Sequence, residues 1–176
     1  MVEITLPIVL QILQTSGILV GIIYYITIMR NAQRNQRLQL ETRQTQLFMD
    51  IYQNMVTHEF QKAFRKIILT QWNSYDEFYR LNDFFDPNHP DPEFIESVNL
   101  IVSYYEGVGV LIKEKLFDVR MVALLMTGMT RSFWEKYAPY IDKWREDLGF
   151  PRLWSETEYL YDELMKYIEE HPELKT

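Results

Sequence analysis

Glu106 is the residue in this sequence that could most readily do chemistry. It is the one charged side chain in an otherwise apolar run from Val98 to Ile112, so we expect it to face the protein interior or its edge. A carboxylate in such a place needs a partner, because an unpaired buried charge is strongly unfavourable. We expect an ion pair, and the candidate partners are Arg120, Arg131 and Arg145.

Two neighbouring tyrosines leave a second interpretation of Glu106 open. Perturbed carboxylates are common in active sites, and Tyr104 and Tyr105 directly precede Glu106. An enzyme could use this carboxylate together with either phenol. The structural ion pair is the favoured interpretation, because no recognised catalytic motif accompanies the three residues.

The sequence contains no recognisable set of metal ligands or nucleophiles. It has no cysteine, and none of its histidines, His58, His89 and His171, has a second His or Cys at metal-ligand spacing. His58-Glu59 begins like a zinc-protease motif, but the second histidine of that motif is absent. Phosphate-binding glycine loops and a nucleophile elbow are also missing. We therefore predict no catalytic residue, no cofactor, no metal and a non-enzymatic protein.

The net charge of −7 is distributed unevenly along the chain. Residues 1–29 carry only Glu3, and residues 30–46 carry four arginines against Glu41. The remaining residues, with 14 basic and 23 acidic side chains, sum to −9. An acidic domain repels the phosphates that dominate binding to nucleic acid. We predict no nucleic-acid partner.

The segment from Ile4 to Met29 has no charged residue and is long enough to cross a membrane. At about 1.5 Å per residue, a helix of this length exceeds the roughly 30 Å of a hydrocarbon core. We predict that residues 1–29 form an extracytoplasmic N-terminus and one transmembrane helix. Two alternatives remain. A cleaved signal peptide is disfavoured because no Lys or Arg precedes the segment, and a buried core helix is favoured only by polar residues such as Gln11.

Arginines cluster at the C-terminal end of this segment. Arg30, Arg34, Arg37 and Arg43 follow it and none precedes it, which predicts an N-terminus outside the cell membrane and a cytoplasmic C-terminus. Arg30, Arg34 and Arg37 are also candidates for contact with lipid headgroups, at about 1 kcal/mol each near the surface. A role in topology alone is the plainer interpretation.

One face of the predicted membrane helix is small and polar. Glycines four residues apart allow two helices to approach closely, and amide side chains can form hydrogen bonds between helices. This face predicts a homo-oligomer or the docking of another membrane subunit. Its residues are Gln14, Gly17, Ile18, Gly21 and Tyr25.

No stretch of the sequence alternates with the two-residue period of a strand, so we predict an all-α fold. The transmembrane helix continues through a basic helical stalk, residues 30–46, into a compact cytoplasmic bundle of about five helices, residues 47–170, with a tail at 171–176. An amphipathic pattern from Leu47 to Trp72 indicates the first core helix. Further start signals are Ser74, Asp91 before Pro92, Asp118 and Ser155, and stop signals are Gly149 and His171-Pro172, with Gly128 and Pro139 as candidate breaks.

Two local patterns predict how the bundle packs. Aromatic residues recur at helical spacing, which is typical of a core, at Trp134, Tyr137, Tyr140, Ile141 and Trp144. Gly107 and Gly109 lie inside a predicted helix, where small residues permit close helix packing.

Several segments of the chain carry a resemblance to a known family. They are the Arg/Gln-rich exit from the membrane, Phe94 through Ser103, Tyr104 through Leu111, Trp134, Trp144-Arg145 and Trp154. In this order they resemble a family of uncharacterised, membrane-anchored prokaryotic proteins with a cytoplasmic domain of unknown function. The resemblance covers most of the chain and implies an anchored helical domain, without implying an activity or functional residues.

These features together predict a membrane-tethered protein-interaction module on the cytoplasmic face. Its expected partners are membrane lipid and other membrane or cytoplasmic proteins. The alternative is an accessory structural subunit of a larger integral membrane complex, docked through the face that contains Gly17 and Gly21.

Overall fold

The predicted all-α fold is confirmed. A computed structural model describes residues 6–174 and is 83% helical, with no strand among those residues. The chain divides into two compact units, Met1–Thr45 and Gln46–Thr176. The helices are α1 (Leu6–Met55), α2 (His58–Leu69), α3 (Tyr75–Leu81), α4 (Pro92–Lys113), α5 (Val119–Leu148), α6 (Ser155–Glu170) and a 3-10 helix (Pro172–Leu174).

The first unit consists, from Leu6 on, of a single helix whose side chains are all exposed. Two hydroxyl groups of its apolar part are satisfied locally: Thr15 and Thr27 donate to the carbonyls of Gln11 and Ile23, each at 2.8 Å. Such back-bonding is how hydroxyl side chains are accommodated in hydrocarbon. This helix is long and apolar enough to span a membrane.

The second unit begins within the last turns of α1, where Ile51 and Met55 become buried. The prediction of one continuous core helix from Leu47 to Trp72 is wrong, because the helix is interrupted between α1 and α2. Thr57 causes the new start: its hydroxyl accepts a hydrogen bond from the backbone N–H of Phe60 at 3.2 Å.

The remaining helix starts follow the predicted capping residues with one exception. Ser74, Asp91 and Asp118 each accept a hydrogen bond from a backbone N–H of the first turn of α3, α4 and α5. The exception is α6, which begins at Ser155 itself. Trp154 occupies its cap position with φ of 57° and makes no side-chain cap.

The long helix α5 continues through both of its candidate breaks and ends at Gly149, which adopts φ of 62°. Pro139 removes one hydrogen bond from the helix interior, but the buried side chains of Tyr137 and Ile141 flank it and anchor both halves. Packing therefore outweighs the local helix-breaking tendency.

The core of the second unit is dominated by aromatic side chains. The predicted aromatic stripe is buried at Trp134, Tyr137, Ile141 and Trp144, and Tyr140 is half-buried. Trp144 is surrounded by other rings, with centroids 5.1 Å from both Phe78 and Trp154. These residues connect α3, α5 and the loop before α6.

Helix α4 lies closest to α2 and α6, while α6 also packs on α5. By length and composition α4 is a second helix apolar enough for a membrane, but 44% of its most apolar window is buried in the bundle. Phe94, Val98, Ile101 and Tyr105 on its buried face are inaccessible to solvent. It is therefore a core helix.

Candidate functional sites

Glu106 binds the start of α6. Its Oε1 accepts a hydrogen bond from the backbone N–H of Thr157 at 2.6 Å and another from the Thr157 hydroxyl at 2.8 Å. Thr157 is the third residue of α6, so the carboxylate fills the position of the side-chain cap that Trp154 does not supply. Its negative charge also lies at the positive end of the helix dipole.

The ion pair predicted between Glu106 and an arginine is wrong. Within residues 6–174, Arg131 pairs with Glu135 at 2.8 Å, and Arg145 pairs with Glu158 at 2.8 Å. Arg120 is exposed near the start of α5. A carboxylate can be satisfied by donors of a helix terminus instead of a charge, and sequence alone does not show which helix terminus is nearby.

Arg145 of α5 binds the loop that precedes α6. Its Nε donates to the carbonyl of Leu153 at 3.0 Å, and its guanidinium also reaches Glu158 in α6 and, at 3.4 Å, Asp142. The side chain is only 13% exposed. Arg145 and Glu106 therefore position the start of α6 from two different helices.

Helices α4 and α6 touch backbone to backbone at Gly109. A Cβ atom at this position would lie 2.7 Å from the carbonyl carbon of Glu156, which is far inside van der Waals contact. The predicted close packing is confirmed at Gly109 and is absent at Gly107, where a Cβ would meet nothing within 4 Å.

An ion pair completes the contact between α4 and α6. Lys113 binds the Glu156 carboxylate at 2.9 and 3.0 Å. These hydrogen bonds, outweighing the effect of burial, lower the pKa of Glu156. We refer to Glu106, Gly109, Lys113, Glu156 and Thr157 as the α4–α6 junction.

Sequence reasoning found Glu106 and Gly109 but missed Lys113, Glu156 and Thr157. The signal that could have linked the α4 residues is their spacing, since positions 106, 109 and 113 share one helix face. No comparable signal identifies the α6 residues.

Within residues 6–174, neither of the tyrosines beside Glu106 forms a hydrogen bond with it. The Tyr104 hydroxyl donates to the carbonyl of Ile51 at 2.8 Å, and Tyr105 is fully buried. Burial raises the pKa of both phenols, because it disfavours the charged phenolate. Tyr104 packs edge-on against Phe60 of α2 and Tyr105 packs against Phe133 of α5, while the buried Tyr105 hydroxyl has no hydrogen-bond partner among the described residues.

Among the described residues, no group of three His, Cys, Asp or Glu side chains is placed to hold a metal ion, and the histidines make local contacts. His89 uses both ring nitrogens locally: Nδ1 accepts from the backbone N–H of Asp91, and Nε2 bonds the carbonyl of Leu81, each at 3.0 Å. His171 stacks on Tyr167 with centroids 4.0 Å apart.

The candidate interface residues of the N-terminal helix all lie within the uninterrupted helix α1 and are exposed. At both glycines of this face, Gly17 and Gly21, an added Cβ would meet nothing within 4 Å. The space that another helix would need is present. Arg30, Arg34 and Arg37 are also exposed, and their contact with lipid stays a prediction.

Comparison with known families identifies the family of the chain. The model of a domain of unknown function, DUF4760, matches residues 5–164. The chain belongs to the DUF4760 family. The match includes both the apolar part of α1 and the bundle as far as the buried Leu164 of α6, so it extends over most of both units. No curated protein and no solved structure matches the chain significantly.

Proposed function

We propose that this protein is a non-enzymatic interaction module tethered to a membrane by α1. The observation that carries the proposal is the charge-free stretch from Leu6 to Met29, which is exposed along its whole length. Burial of that apolar surface in hydrocarbon would be strongly favourable. The bundle supports a non-enzymatic role, because the polar residues inside it join helices to one another, as at the α4–α6 junction.

The proposed orientation of the chain in the membrane is based on the distribution of charge. Four arginines follow the apolar stretch, so we place the protein in the cell membrane as a single-pass chain with its N-terminus outside. The acidic bundle would then lie in the cytoplasm. Arg30, Arg34 and Arg37 would meet the anionic headgroups there.

A second candidate function is favoured by the glycine face of α1. The open space at Gly17 and Gly21, with Gln14 beside them, suits a helix of another integral membrane protein. In this case the protein would be an accessory subunit, and its bundle would brace the complex.

The test is affinity purification of the full chain from its native membrane in mild detergent. Wild type is compared with Gly17→Leu/Gly21→Leu and with a control on the opposite face of the helix, Ser16→Leu/Thr27→Leu. A tethered interaction module should keep its protein partners in both variants. An accessory subunit should lose them in the glycine variant alone. Extraction of the chain by alkaline carbonate, which leaves integral proteins in the membrane, would contradict the tether in either form.

A further inference from the structure

A large open groove lies between α5 and α6 on the surface of the bundle. It has a volume of about 940 Å³ and is bordered by the first half of α5, the second half of α6 and the 3-10 helix that follows. Its lining mixes apolar with polar and charged side chains, and the apolar ones are Ala123, Leu124, Leu125, Met165, Ile168 and Leu174.

Two leucines of the lining are exposed although their helix also contributes to the core. Leu124 is 53% exposed and Leu125 is 42% exposed, although other residues of the same helix, such as Val122 and Met126, are buried. Neighbouring exposed leucines in one depression mark a site of interaction more often than a single exposed leucine does.

Gly128 leaves room for an incoming side chain. It lies in the first half of α5 and is exposed in the groove, and an added Cβ would meet nothing within 4 Å. Glycine inside a helix is unfavourable compared with alanine, and here neither its conformation nor a close approach within the chain requires it. Open space beside a groove is what a docked partner would use.

The rim of the groove is acidic. Arg131 forms an ion pair with Glu135 at 2.8 Å, so the one guanidinium of the lining is matched by one carboxylate. Glu169 and Glu173 add two further negative charges. The surrounding unit has the same sign, since residues 47–176 sum to −9. The potential of the groove therefore favours a positively charged partner.

The shape of the groove favours a helix over a small molecule. From Ala123 to Glu135 it follows α5 for about 18 Å, at about 1.5 Å per residue, and it is open along one side. A small ligand there would stay largely in water, whereas an amphipathic helix would bury one face and keep the other hydrated.

We propose that this groove binds an amphipathic helix of another protein, with an apolar face and flanking lysines or arginines. The inference rests on the proposed function and names the class of partner that the interaction module would take. A second copy of the acidic bundle is a poor occupant, because like charges would face one another across the groove.

The test uses the full chain in nanodiscs of zwitterionic lipid, with empty nanodiscs as a blank. The probes are two fluorescent helical peptides of about 15 residues, a length at which isolated helices are marginally stable. Both carry leucines at helical spacing; one is flanked by lysines and the other by glutamates. Fluorescence anisotropy measures the Kd of each peptide. We expect the lysine peptide to bind and the glutamate peptide not to bind.

Two exposed helical glycines provide matched variants. Gly128→Leu should fill the groove and weaken binding of the lysine peptide at least about tenfold. Gly107→Leu adds the same side chain on the open face of α4 and should leave the Kd unchanged. Both should keep wild-type helicity by circular dichroism. Glu169→Lys/Glu173→Lys should shift the preference toward the glutamate peptide.

Failure of the groove can be distinguished from failure of the interaction module. Equal binding of the lysine peptide by Gly128→Leu and wild type, or no binding at all, would overturn the groove as its site. If native proteins still co-purify with Gly128→Leu as they do with wild type, the module stands and the groove does not. A dimer that dissociates on Gly128→Leu would assign the groove to a second copy and overturn the proposal.

Discussion

Glu106 stabilises the start of α6, where the local sequence does not provide a cap. Trp154 has a left-handed backbone and no polar side chain that could accept a hydrogen bond from the first turn. The carboxylate from α4 supplies that acceptor, with two hydrogen bonds to Thr157. Hydrogen bonds to a charged group contribute about 1.5 to 3 kcal/mol each by mutational measures, so this contact matters for stability.

Replacing Glu106 should therefore destabilise the fold in graded steps. Glu106→Ala leaves the buried N–H of Thr157 without this acceptor and should lower the free energy of unfolding by about 2 kcal/mol. Glu106→Gln keeps an acceptor but loses the charge at the helix terminus, at a cost of about 1 kcal/mol. Denaturant unfolding in detergent, followed by tryptophan fluorescence, measures both. Glu96→Ala, on an exposed position of α4, is the control, and an equal effect there would argue against the capping role.

Lys136 is a second residue that caps the end of a helix other than its own. Its Nζ donates to the carbonyls of Thr70 and, at 3.2 Å, Ile68, which are at the C-terminal end of α2. It also lies 4.3 Å from the centre of the Trp72 ring. Burial lowers the pKa of Lys136, yet the carbonyls and the ring favour a cation.

Lys136→Met should cost about 2 kcal/mol of unfolding free energy, because the carbonyls at the end of α2 lose their donor while the apolar stem is preserved. Thermal unfolding by circular dichroism would measure the loss. Lys166→Met, at an exposed position of α6, should have little effect. If the two variants unfold at the same temperature, Lys136 does not cap α2.

At the scale of helices, the α4–α6 junction depends on the close approach of the two helix backbones. The two glycines of α4 lie two residues apart but face different surroundings. Gly109 touches the backbone of Glu156, and Gly107 faces open space. The same substitution at these two positions should therefore have opposite effects.

Gly109→Ala should push α4 and α6 apart and destabilise the protein by about 1 to 3 kcal/mol, as overpacking does. Gly107→Ala should stabilise it by about 0.5 to 1 kcal/mol, because alanine favours the helix and meets nothing. Midpoints of urea unfolding, measured side by side, provide the comparison. Two shifts of the same sign would show that α4 and α6 do not approach as described.

A set of ion pairs joins α2 to the start of α4. Lys66 lies 2.8 Å from Asp91 and 2.9 Å from Glu93, and Lys62 lies 2.7 Å from Glu93. Hydrogen bonds from Lys62 and Lys66 hold the pKa of Glu93 at about 2. Burial acts to raise the pKa of Asp91, but hydrogen bonds from Lys66 and the Phe94 N–H outweigh it and lower that pKa.

These lowered pKa values predict acid destabilisation. A carboxyl whose folded pKa lies below its unfolded value stabilises the fold above the unfolded pKa and loses that contribution as the pH falls through the folded one. The free energy of unfolding should therefore decrease from about pH 5 toward about pH 2. The decrease should be shallower in Lys66→Met, which removes the shared partner, and unchanged in Lys166→Met. A pH profile of Lys66→Met that is parallel to wild type would contradict this origin.

At the scale of the whole molecule, the absence of cysteine allows the proposed topology to be tested cleanly. Single cysteines introduced by Val2→Cys and Ser132→Cys would be the only thiols in each variant. In intact cells a membrane-impermeant maleimide should label the first and not the second, since the arginines after Met29 favour a cytoplasmic bundle. Both should react after lysis. Labelling of Ser132→Cys in intact cells would reverse the orientation.

The sequence by itself determined the features that depend on neighbours along the chain. The all-α class follows from hydrophobic periodicity, and the caps at Ser74, Asp91 and Asp118 follow from side chains that bond backbone groups two or three residues away. The apolar α1 and the aromatic core of α5 were likewise readable, because composition and spacing are local properties. Membership of a family of unknown function was visible in the order of the same segments.

Only the tertiary structure decided which helices meet. The partner of Glu106 is 51 positions away, and two of its predicted partners, Arg131 and Arg145, instead pair with other carboxylates. The break before α2 and the contact of Gly109 with Glu156 depend in the same way on packing. A carboxylate can be satisfied by an arginine or by a helix terminus with similar free energy, so its residue type alone does not choose between them. The choice is made by the three-dimensional arrangement of the helices.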